Sequence, residues 1–252
     1  MPSRHLLFLV TVAVFLPGSH TARGQDAARA AIQRAIEALG GARRIDDVRA
    51  AHTEMKGTLY QGDRSVDFTA ENWFQYPDEF KGVNRFPAGG GKTLAIVIVF
   101  DGKEAWIKNG EQNARPFSGP GLAEIKEEVY ASQVQRLTPL LGRDYQLVPL
   151  QSINVDRKPA VGVRVTSRGH RPIDIYFDRA TGLPVETVRQ ASDFADAKKY
   201  VQARLFSDYR TIDSLKTATR VTIYKDDKKL MTQEVTKVKY LPRIEADVFA
   251  KP

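Results

Sequence analysis

Two histidines, His52 and His170, are the residues of this chain best suited by type to acid–base chemistry or metal binding. A histidine triad or a zinc site would depend on these two, because the chain has no cysteine and its other histidines lie in the first twenty residues. His52 falls in a segment that reads as a strand, and His170 lies in a turn. We therefore expect hydrogen-bonded or surface roles. The enzyme alternative would require one of them to sit in a cleft beside a carboxylate or hydroxyl.

Carboxylates and a glycine-rich segment are the other features that could carry chemistry. Glu124, Glu127 and Glu128 stand near the start of a predicted helix, where negative charge suits the helix dipole, and we expect a solvated face. The segment Gly89–Thr93 is similar to a phosphate-binding loop, but a strand rather than a helix follows it. No G-x-S-x-G, H-E-x-x-H or EF-hand motif is present. The sequence predicts no enzyme, no cofactor and no metal site.

Residues 1–24 have the plan of a secretory signal peptide. Arg4 precedes an unbroken apolar run, Leu6–Leu16, and the small residues Ala22 and Gly24 mark a cleavage site before Gln25. A helix of eleven residues rises about 16 Å, too short for a hydrocarbon core of about 30 Å. No cysteine follows the run, so lipid attachment there is excluded. We expect a mature chain of residues 25–252 that is soluble and periplasmic or secreted.

The charge of the chain is basic but scattered. Removing residues 1–24 takes away Arg4 and Arg23, so the formal net charge falls from +8 to +6. The 38 basic residues are mixed with 30 acidic ones, and no zinc-finger, helix-turn-helix or RNP signature accompanies them. Nucleic acid is therefore not an expected partner.

The hydrophobic pattern has helical spacing in two segments and strand alternation in the rest of residues 25–252. Asp26–Leu39 repeats apolar residues at helical spacing and ends at two glycines, which predicts an amphipathic helix. Ser65–Tyr76 then alternates between apolar and polar residues, which predicts a half-buried strand. Thr93–Phe100 is an apolar strand that ends at an Asp-Gly hairpin turn. A second helix is predicted over Leu122–Leu141, where Pro139 must bend or end it.

About eleven strands and two helices make this an α+β chain that is mainly β. The short links between the strands favour antiparallel neighbours, and no linker or repeat divides residues 25–252, so we expect a single domain. A sheet of this size must curl because strand twist accumulates. We predict a strongly curved antiparallel half-barrel closed by helices, with a groove for an apolar ligand.

Alternation also selects the residues that would line this groove. They are the apolar side chains on one face of two strands, a tryptophan in the next strand and the apolar stripe of the second helix. The candidates are Val66, Phe68, Phe74, Tyr76, Leu94, Ile96, Ile98, Trp106, Ile125, Val129 and Leu137. The alternative for each of them is an ordinary place in the hydrophobic core.

Several motifs, in order, give the chain a resemblance to a known superfamily. Ala38–Gly41 closes the opening helix, Trp73–Phe80 contains a strand, a proline turn and a returning strand, and Val99–Trp106 carries a DGKxxW hairpin. Phe206–Arg210 and Val248–Pro252 follow as late strand and chain end. Together they resemble the LolA/LppX superfamily of periplasmic lipoprotein carriers and related lipid binders. The similarity spans nearly all of residues 25–252.

The resemblance implies a half-barrel whose cavity holds acyl chains, without a cofactor or a reaction. The implied ligand is an acyl chain of a lipid or lipoprotein, and a membrane-bound donor or acceptor protein is an open second partner. We expect a monomer. Where the best-known carriers have an arginine before the strand-turn proline, this sequence has Tyr76. The alternative function is an envelope interaction or sensor module of the same fold with no lipid cargo.

Overall fold

The computed structural model describes residues 19–194 and 196–252. The apolar run of the predicted signal peptide lies outside these residues. Three α-helices occur in the described part of the chain: α1 (Ser19–Leu39), α2 (Ala42–Asp47) and α3 (Gly119–Gln135). Two short 3-10 helices, Thr138–Leu141 and Ala246–Phe249, accompany them.

Thirteen strands form one antiparallel sheet that is curved and unclosed. The strand order is β6-β5-β4-β3-β2-β1-β13-β12-β11-β10-β9-β8-β7, so every neighbour in the sheet is a chain neighbour except the central pair of β1 and β13. The strands are β1 (Ala50–Gln61), β2 (Arg64–Gln75), β3 (Glu79–Pro87), β4 (Thr93–Asp101), β5 (Ala105–Asn109), β6 (Arg115–Pro116), β7 (Tyr145–Val155), β8 (Lys158–Ser167), β9 (Ile173–Asp178), β10 (Pro184–Ser192), β11 (Lys199–Ile212), β12 (Leu215–Lys225) and β13 (Lys228–Leu241).

The predicted fold class, mainly β with a curved antiparallel half-barrel and helices, is confirmed. The strand count is slightly larger than predicted, partly because the two-residue β6 has no alternation to detect. The first predicted helix is found as α1, which begins at Ser19 rather than Asp26. The second ends at Gln135, and a separate 3-10 helix with Pro139 at its start follows. Proline lacks the N–H that would continue the α-helix.

The sheet has two faces, which the helices distinguish. We call the face that α1 and α3 contact the inner face and the opposite one the outer face. On the inner face, α1 and the end of α3 pack against β7, β8 and β9 around Ile32, Val134, Leu137, Val165 and Phe177, each of which is at most 1% exposed. This packing forms the principal core. It positions α1 over the β7–β9 side of the sheet, whereas the earlier turns of α3 pack over β4 on the other side.

The outer face of β1 to β5 carries a smaller core of its own. Phe249, from the C-terminal 3-10 helix, is 1% exposed and packs in one cluster with Val99 and Ile244. The two tryptophans, Trp73 and Trp106, pack against this cluster. The C-terminal segment therefore covers this part of the outer face. In the described residues, no helix is long and apolar enough to cross a membrane.

Candidate ligand-binding face

The inner face has one part that helices cover and another part that strands alone form. Met55, Phe68 and Ala70 form a cluster with half-buried apolar neighbours from β1, β3 and β13, and no helix residue belongs to it. Strand register extends this surface to the starts of β2 and β4, because Leu59 pairs with Val66 and Phe86 pairs with Leu94. We call this surface the open apolar face; it comprises Met55, Leu59, Val66, Phe68, Ala70, Phe86, Leu94, Ile96, Met231 and Val235.

Four of the eleven predicted groove residues lie on the open apolar face: Val66, Phe68, Leu94 and Ile96. Phe68 is buried, with its ring close to Gly57, where an added Cβ would lie 2.6 Å from the ring edge. Leu94 is 40% exposed, and Val66 and Ile96 are half-buried. Apolar side chains in this state are available to a ligand without unfolding any element.

Five further predicted residues lie beneath or on the helices. Ile125 and Val129 of α3 are buried against β4, where Ile98 packs beside them. Phe74 packs against Phe80, with ring centroids 4.8 Å apart. Leu137 is fully buried in the principal core. These side chains have protein neighbours in the structure, and contact between any of them and a ligand stays a prediction.

Tyr76 and Trp106 complete the predicted set. Tyr76 follows β2, and the Arg136 guanidinium lies 4.0 Å from the centre of its ring. Burial raises the pKa of the Tyr76 hydroxyl, although Arg136 acts in the opposite direction. Trp106 lies on the outer face, because its strand register pairs it with Val99. The structure thus separates Trp106 from the other ten residues.

The contact between Arg136 and Tyr76 connects the C-terminal end of α3 to the start of the sheet. Arg136 donates hydrogen bonds from Nη1 to the Val48 carbonyl at 2.8 Å and from Nη2 to the Ile45 carbonyl at 2.9 Å. A guanidinium is therefore present beside the residue that precedes Pro77, but it comes from the end of a helix. The contact fixes the C-terminal end of α3 against the α2 segment.

The acidic cluster of α3 is not solvated, so that prediction is wrong. Glu124 is 2% exposed and accepts hydrogen bonds from Arg189 Nη1 at 3.0 Å and from the Ser192 amide at 2.9 Å. Glu128 accepts from Arg189 and Arg204, and Arg171 also binds Glu124. The three carboxylates of the cluster face arginines on β10, β11 and the turn before β9. Ion pairs of this kind resist separation because a single buried charge would remain.

Glu128 shows the electrostatic effect of this ion-pair cluster most clearly. Burial alone would raise the pKa of its carboxyl, but Arg204 and Arg189 outweigh that effect and hold the pKa at about 2. The carboxylate is therefore ionised throughout the physiological range. The cluster joins α3 to the β10–β11 side of the sheet, at the border of the covered inner face.

His170 lies beside a carboxylate, as the enzyme alternative requires. Its Nδ1 is 3.1 Å from Glu127 Oε1, and its ring stacks on Tyr130 with centroids 3.8 Å apart. His170 and Tyr130 border a cleft of about 680 Å³ that Tyr145 also lines. Glu127 is shared, since its other oxygen accepts from the Arg171 amide at 3.1 Å. In residues 19–194 and 196–252, His170 makes no side-chain hydrogen bond to a serine or threonine hydroxyl.

His52 has a different environment on the outer face. Its ring stacks on Trp73 with centroids 4.6 Å apart, and its Nε2 is 3.5 Å from Glu71 Oε2. Glu71 is also bound by Arg85 Nη1 at 2.6 Å. Across the described part of the chain, no group of three or more histidine and carboxylate side chains is placed to hold a metal ion.

Two cavities border the β11–β13 and β1–β3 strands. One of about 290 Å³ lies on the inner face between Leu39, Leu137, Phe206 and Val221. The other, about 730 Å³, is lined by outer-face polar side chains of β1, β2 and β13 together with Phe68 and Phe86. Thr58 Oγ1 donates to Asp67 at 2.7 Å, and Lys56 Nζ lies 3.5 Å from Glu234. The second cavity is the larger of the two, and Phe68 and Phe86 of the open apolar face are among its lining residues.

The arrangement of the sheet and helices is shared with solved structures. A LolA superfamily protein from Nitrosomonas europaea superimposes with a TM-score of 0.55 over 89% of this chain and 97% of the other, at 10% sequence identity. The fold is LolA-like. A Vibrio parahaemolyticus domain described as an outer membrane lipoprotein-sorting protein domain gives a TM-score of 0.55 over 92% and 98%, at 12% identity.

A DUF1329 family protein of Desulfovibrio piger also superimposes, with a TM-score of 0.56 over 88% of this chain and 96% of the other, at 13% identity. No protein-family model and no curated protein matches the sequence. At these identities the comparison establishes the fold alone. The predicted LolA/LppX-like fold is confirmed.

Sequence reasoning missed the ion-pair cluster and part of the open face. Glu124 and Glu128 are four residues apart and so share one side of α3, which was the available signal. Arg189 and Arg204 occupy inward positions of their strands, but alternation does not identify which helix faces them. Met231 and Val235 of β13 were missed because their contact with β1 crosses nearly the whole chain.

Proposed function

We propose that this protein binds an acyl chain of a lipid or lipoprotein on its open apolar face. The observation that supports this most directly is the cluster around Phe68, which strands alone form and in which half-buried apolar side chains surround the buried Met55, Phe68 and Ala70. Each buried CH₂ group contributes about 0.8 kcal/mol, so a long chain laid along this surface gains affinity without polar contacts. The LolA-like neighbour with a lipoprotein-sorting description has the same architecture.

The role we propose is non-enzymatic binding, with transfer across the periplasm as its purpose. Glu127 holds both His170 and the Arg171 backbone, which makes the pair a structural contact between α3 and the turn before β9. Export follows from the predicted signal peptide, and the mature protein is expected to begin at Gln25. Carriage of a lipoprotein would also require a membrane-bound donor or acceptor.

The experiment is native mass spectrometry of the mature protein purified from its own envelope, followed by solvent extraction and lipid analysis. We expect a bound mass at one copy per chain. Ile96→Glu introduces a charge on the open apolar face and should abolish the bound mass. Val148→Glu is the matched control, because Val148 is 51% exposed at the sheet edge in β7, and it should keep the lipid.

The outcome decides between two functions. A lipid retained equally by both folded variants would place the binding site elsewhere. A clean apo mass for the wild type, with no uptake of a fluorescent fatty acid, would reject lipid binding and leave the interaction-module alternative. Circular dichroism of each variant establishes that a lost ligand does not reflect a lost fold.

A further inference from the structure

One end of the sheet is the open rim, formed by the turns that join β1 to β2, β3 to β4, β10 to β11 and β12 to β13. The open apolar face reaches this rim at Leu94, the second residue of β4, which is 40% exposed. Helices α1 and α2 lead into the opposite end, where β1 begins. A chain held on the open apolar face therefore has its shortest exit at the open rim.

Exposed apolar side chains are concentrated at the same rim. Among the described residues, five large hydrophobic side chains are exposed, and three of them, Leu94, Phe194 and Val201, lie at this end. Phe194 lies in the β10–β11 turn, is 44% exposed and packs on Phe117 with ring centroids 5.6 Å apart. Because Phe194 already packs on Phe117, its side chain loses less conformational entropy on insertion into an apolar environment than a freely rotating side chain would.

Lysines lie on the turn that carries Phe194 and on the neighbouring turn. The β10–β11 and β12–β13 turns lie side by side, because Val201 and Asp226 exchange hydrogen bonds at 2.9 Å. Lys225 is neutralised by Asp193 at 2.8 Å. Four more lysines on these turns form no salt bridge within the described residues: Lys198, Lys199, Lys228 and Lys229. Asp196 and Asp226 accept backbone amides of Lys198 and Val201, and with Asp193 and Asp227 they reduce the formal net charge of residues 193–199 and 225–229 to +1.

Tyrosines stand beneath two of the lysines. Lys225 Nζ lies 4.5 Å from the Tyr200 ring centre, and Lys229 Nζ lies 5.5 Å from that of Tyr60. Aromatic rings with lysine ammonium groups around them favour the boundary between lipid headgroups and acyl chains, where rings contact the chains and ammonium groups contact phosphates. The rim carries both types together with exposed apolar tips.

We propose that the open rim docks on the surface of a lipid bilayer with anionic headgroups, with Phe194 and Leu94 at the level of the headgroups. An acyl chain would then move between the bilayer and the open apolar face without crossing water. This inference deepens the proposed function and rests on it for the role of the docked state. The docking itself can be measured with protein that carries no lipid on its open apolar face.

The test is co-flotation of the mature protein with vesicles of phosphatidylglycerol and phosphatidylethanolamine in equal parts. We expect the wild type to float with the vesicles. Phe194→Asp should lower the affinity of the protein for the vesicles about tenfold, because a charged side chain replaces the apolar one that inserts into the bilayer. Ile153→Asp is the matched control, since Ile153 is 37% exposed on β7, towards the other end of the sheet. It should float like the wild type.

Charge is tested separately from apolar insertion. The double variant Lys198→Glu with Lys199→Glu should weaken co-flotation, as should raised salt, because attraction to anionic headgroups is screened. Equal flotation of Phe194→Asp and Ile153→Asp would overturn the proposal. It would also be overturned if the wild type bound envelope vesicles with their proteins but not vesicles of pure lipid.

Uptake of a fluorescent fatty acid from solution distinguishes this inference from the proposed function. Phe194→Asp should keep that uptake while losing flotation and lipid extraction from vesicles. A wild type that floats but takes up no fatty acid would reject the proposed function and leave the docking. A wild type that takes up fatty acid but does not float would reject the docking alone.

Discussion

At the scale of single residues, Glu128 gives a pH dependence with a defined sign. The pKa of its carboxyl is about 2 in the folded protein and about 4.5 in the unfolded chain. Its contribution to the free energy of unfolding is therefore complete above pH 4.5 and disappears as the pH falls towards 2. The corresponding free energy is about 3 kcal/mol at most, from about 1.4 kcal/mol per unit. Glu128→Gln should therefore destabilise the protein at pH 7 and have a decreasing effect below pH 4.5.

The measurement is urea unfolding of wild type and variant at a series of pH values. Glu111→Gln is the control, because Glu111 is exposed in the loop after β5 and forms no ion pair in the described structure. A difference between wild type and Glu128→Gln that stayed constant from pH 7 to pH 3 would contradict the electrostatic account. It would show instead that the lost contacts of Glu128 are pH-independent packing.

The ion-pair cluster shows where sequence reasoning stops at this scale. Three glutamates near a helix start have an adequate local explanation in the helix dipole, and that explanation predicts exposure. The actual partners, Arg189 and Arg204, are more than sixty residues away in the chain. Their inward positions on β10 and β11 could be read by alternation, but their pairing with α3 requires the tertiary arrangement.

At the scale of elements, the C-terminal 3-10 helix stabilises the fold although it is only four residues long. Phe249 is 1% exposed, and it packs with Val99 and Ile244 on the outer face, where its helix contacts β3 and β4. Phe249→Ala should destabilise the protein by about 3 to 5 kcal/mol, because it removes a fully buried ring and leaves a cavity. The measurement is the free energy of unfolding in urea, with the partly buried neighbour Val248→Ala as the milder comparison.

Tryptophan fluorescence tests whether that loss is local. Trp73 and Trp106 pack on the same cluster, so Phe249→Ala should change their native emission. An unchanged spectrum together with unchanged stability would mean that the C-terminal segment does not hold the outer face in solution. The same cluster explains the misplacement of Trp106: alternation gives two faces for each strand, but it does not identify which face a distant terminal segment covers.

At the scale of the whole molecule, much of the fold could be predicted because the order of the sheet follows the order of the chain. Twelve strand pairs make up the sheet, and all but one join consecutive strands. Local alternation and turn residues are sufficient for such hairpins. The exception, β1 with β13, brings the two ends of the chain together in the middle of the sheet, and it also builds part of the open apolar face.

This central pairing leads to a prediction about cooperativity. Neither the β2–β6 side nor the β7–β12 side is complete without β1 and β13, and α3 packs on β4 of the first side and contacts β10 of the second. We therefore expect residues 25–252 to unfold as one unit. Tryptophan fluorescence reports on the first side only, because Trp73 lies in β2 and Trp106 in β5, whereas far-ultraviolet circular dichroism reports on all strands. The two urea transitions should coincide. A fluorescence transition at lower urea would show that the β2–β6 side opens first, and residues 25–252 would then contain two cooperative units.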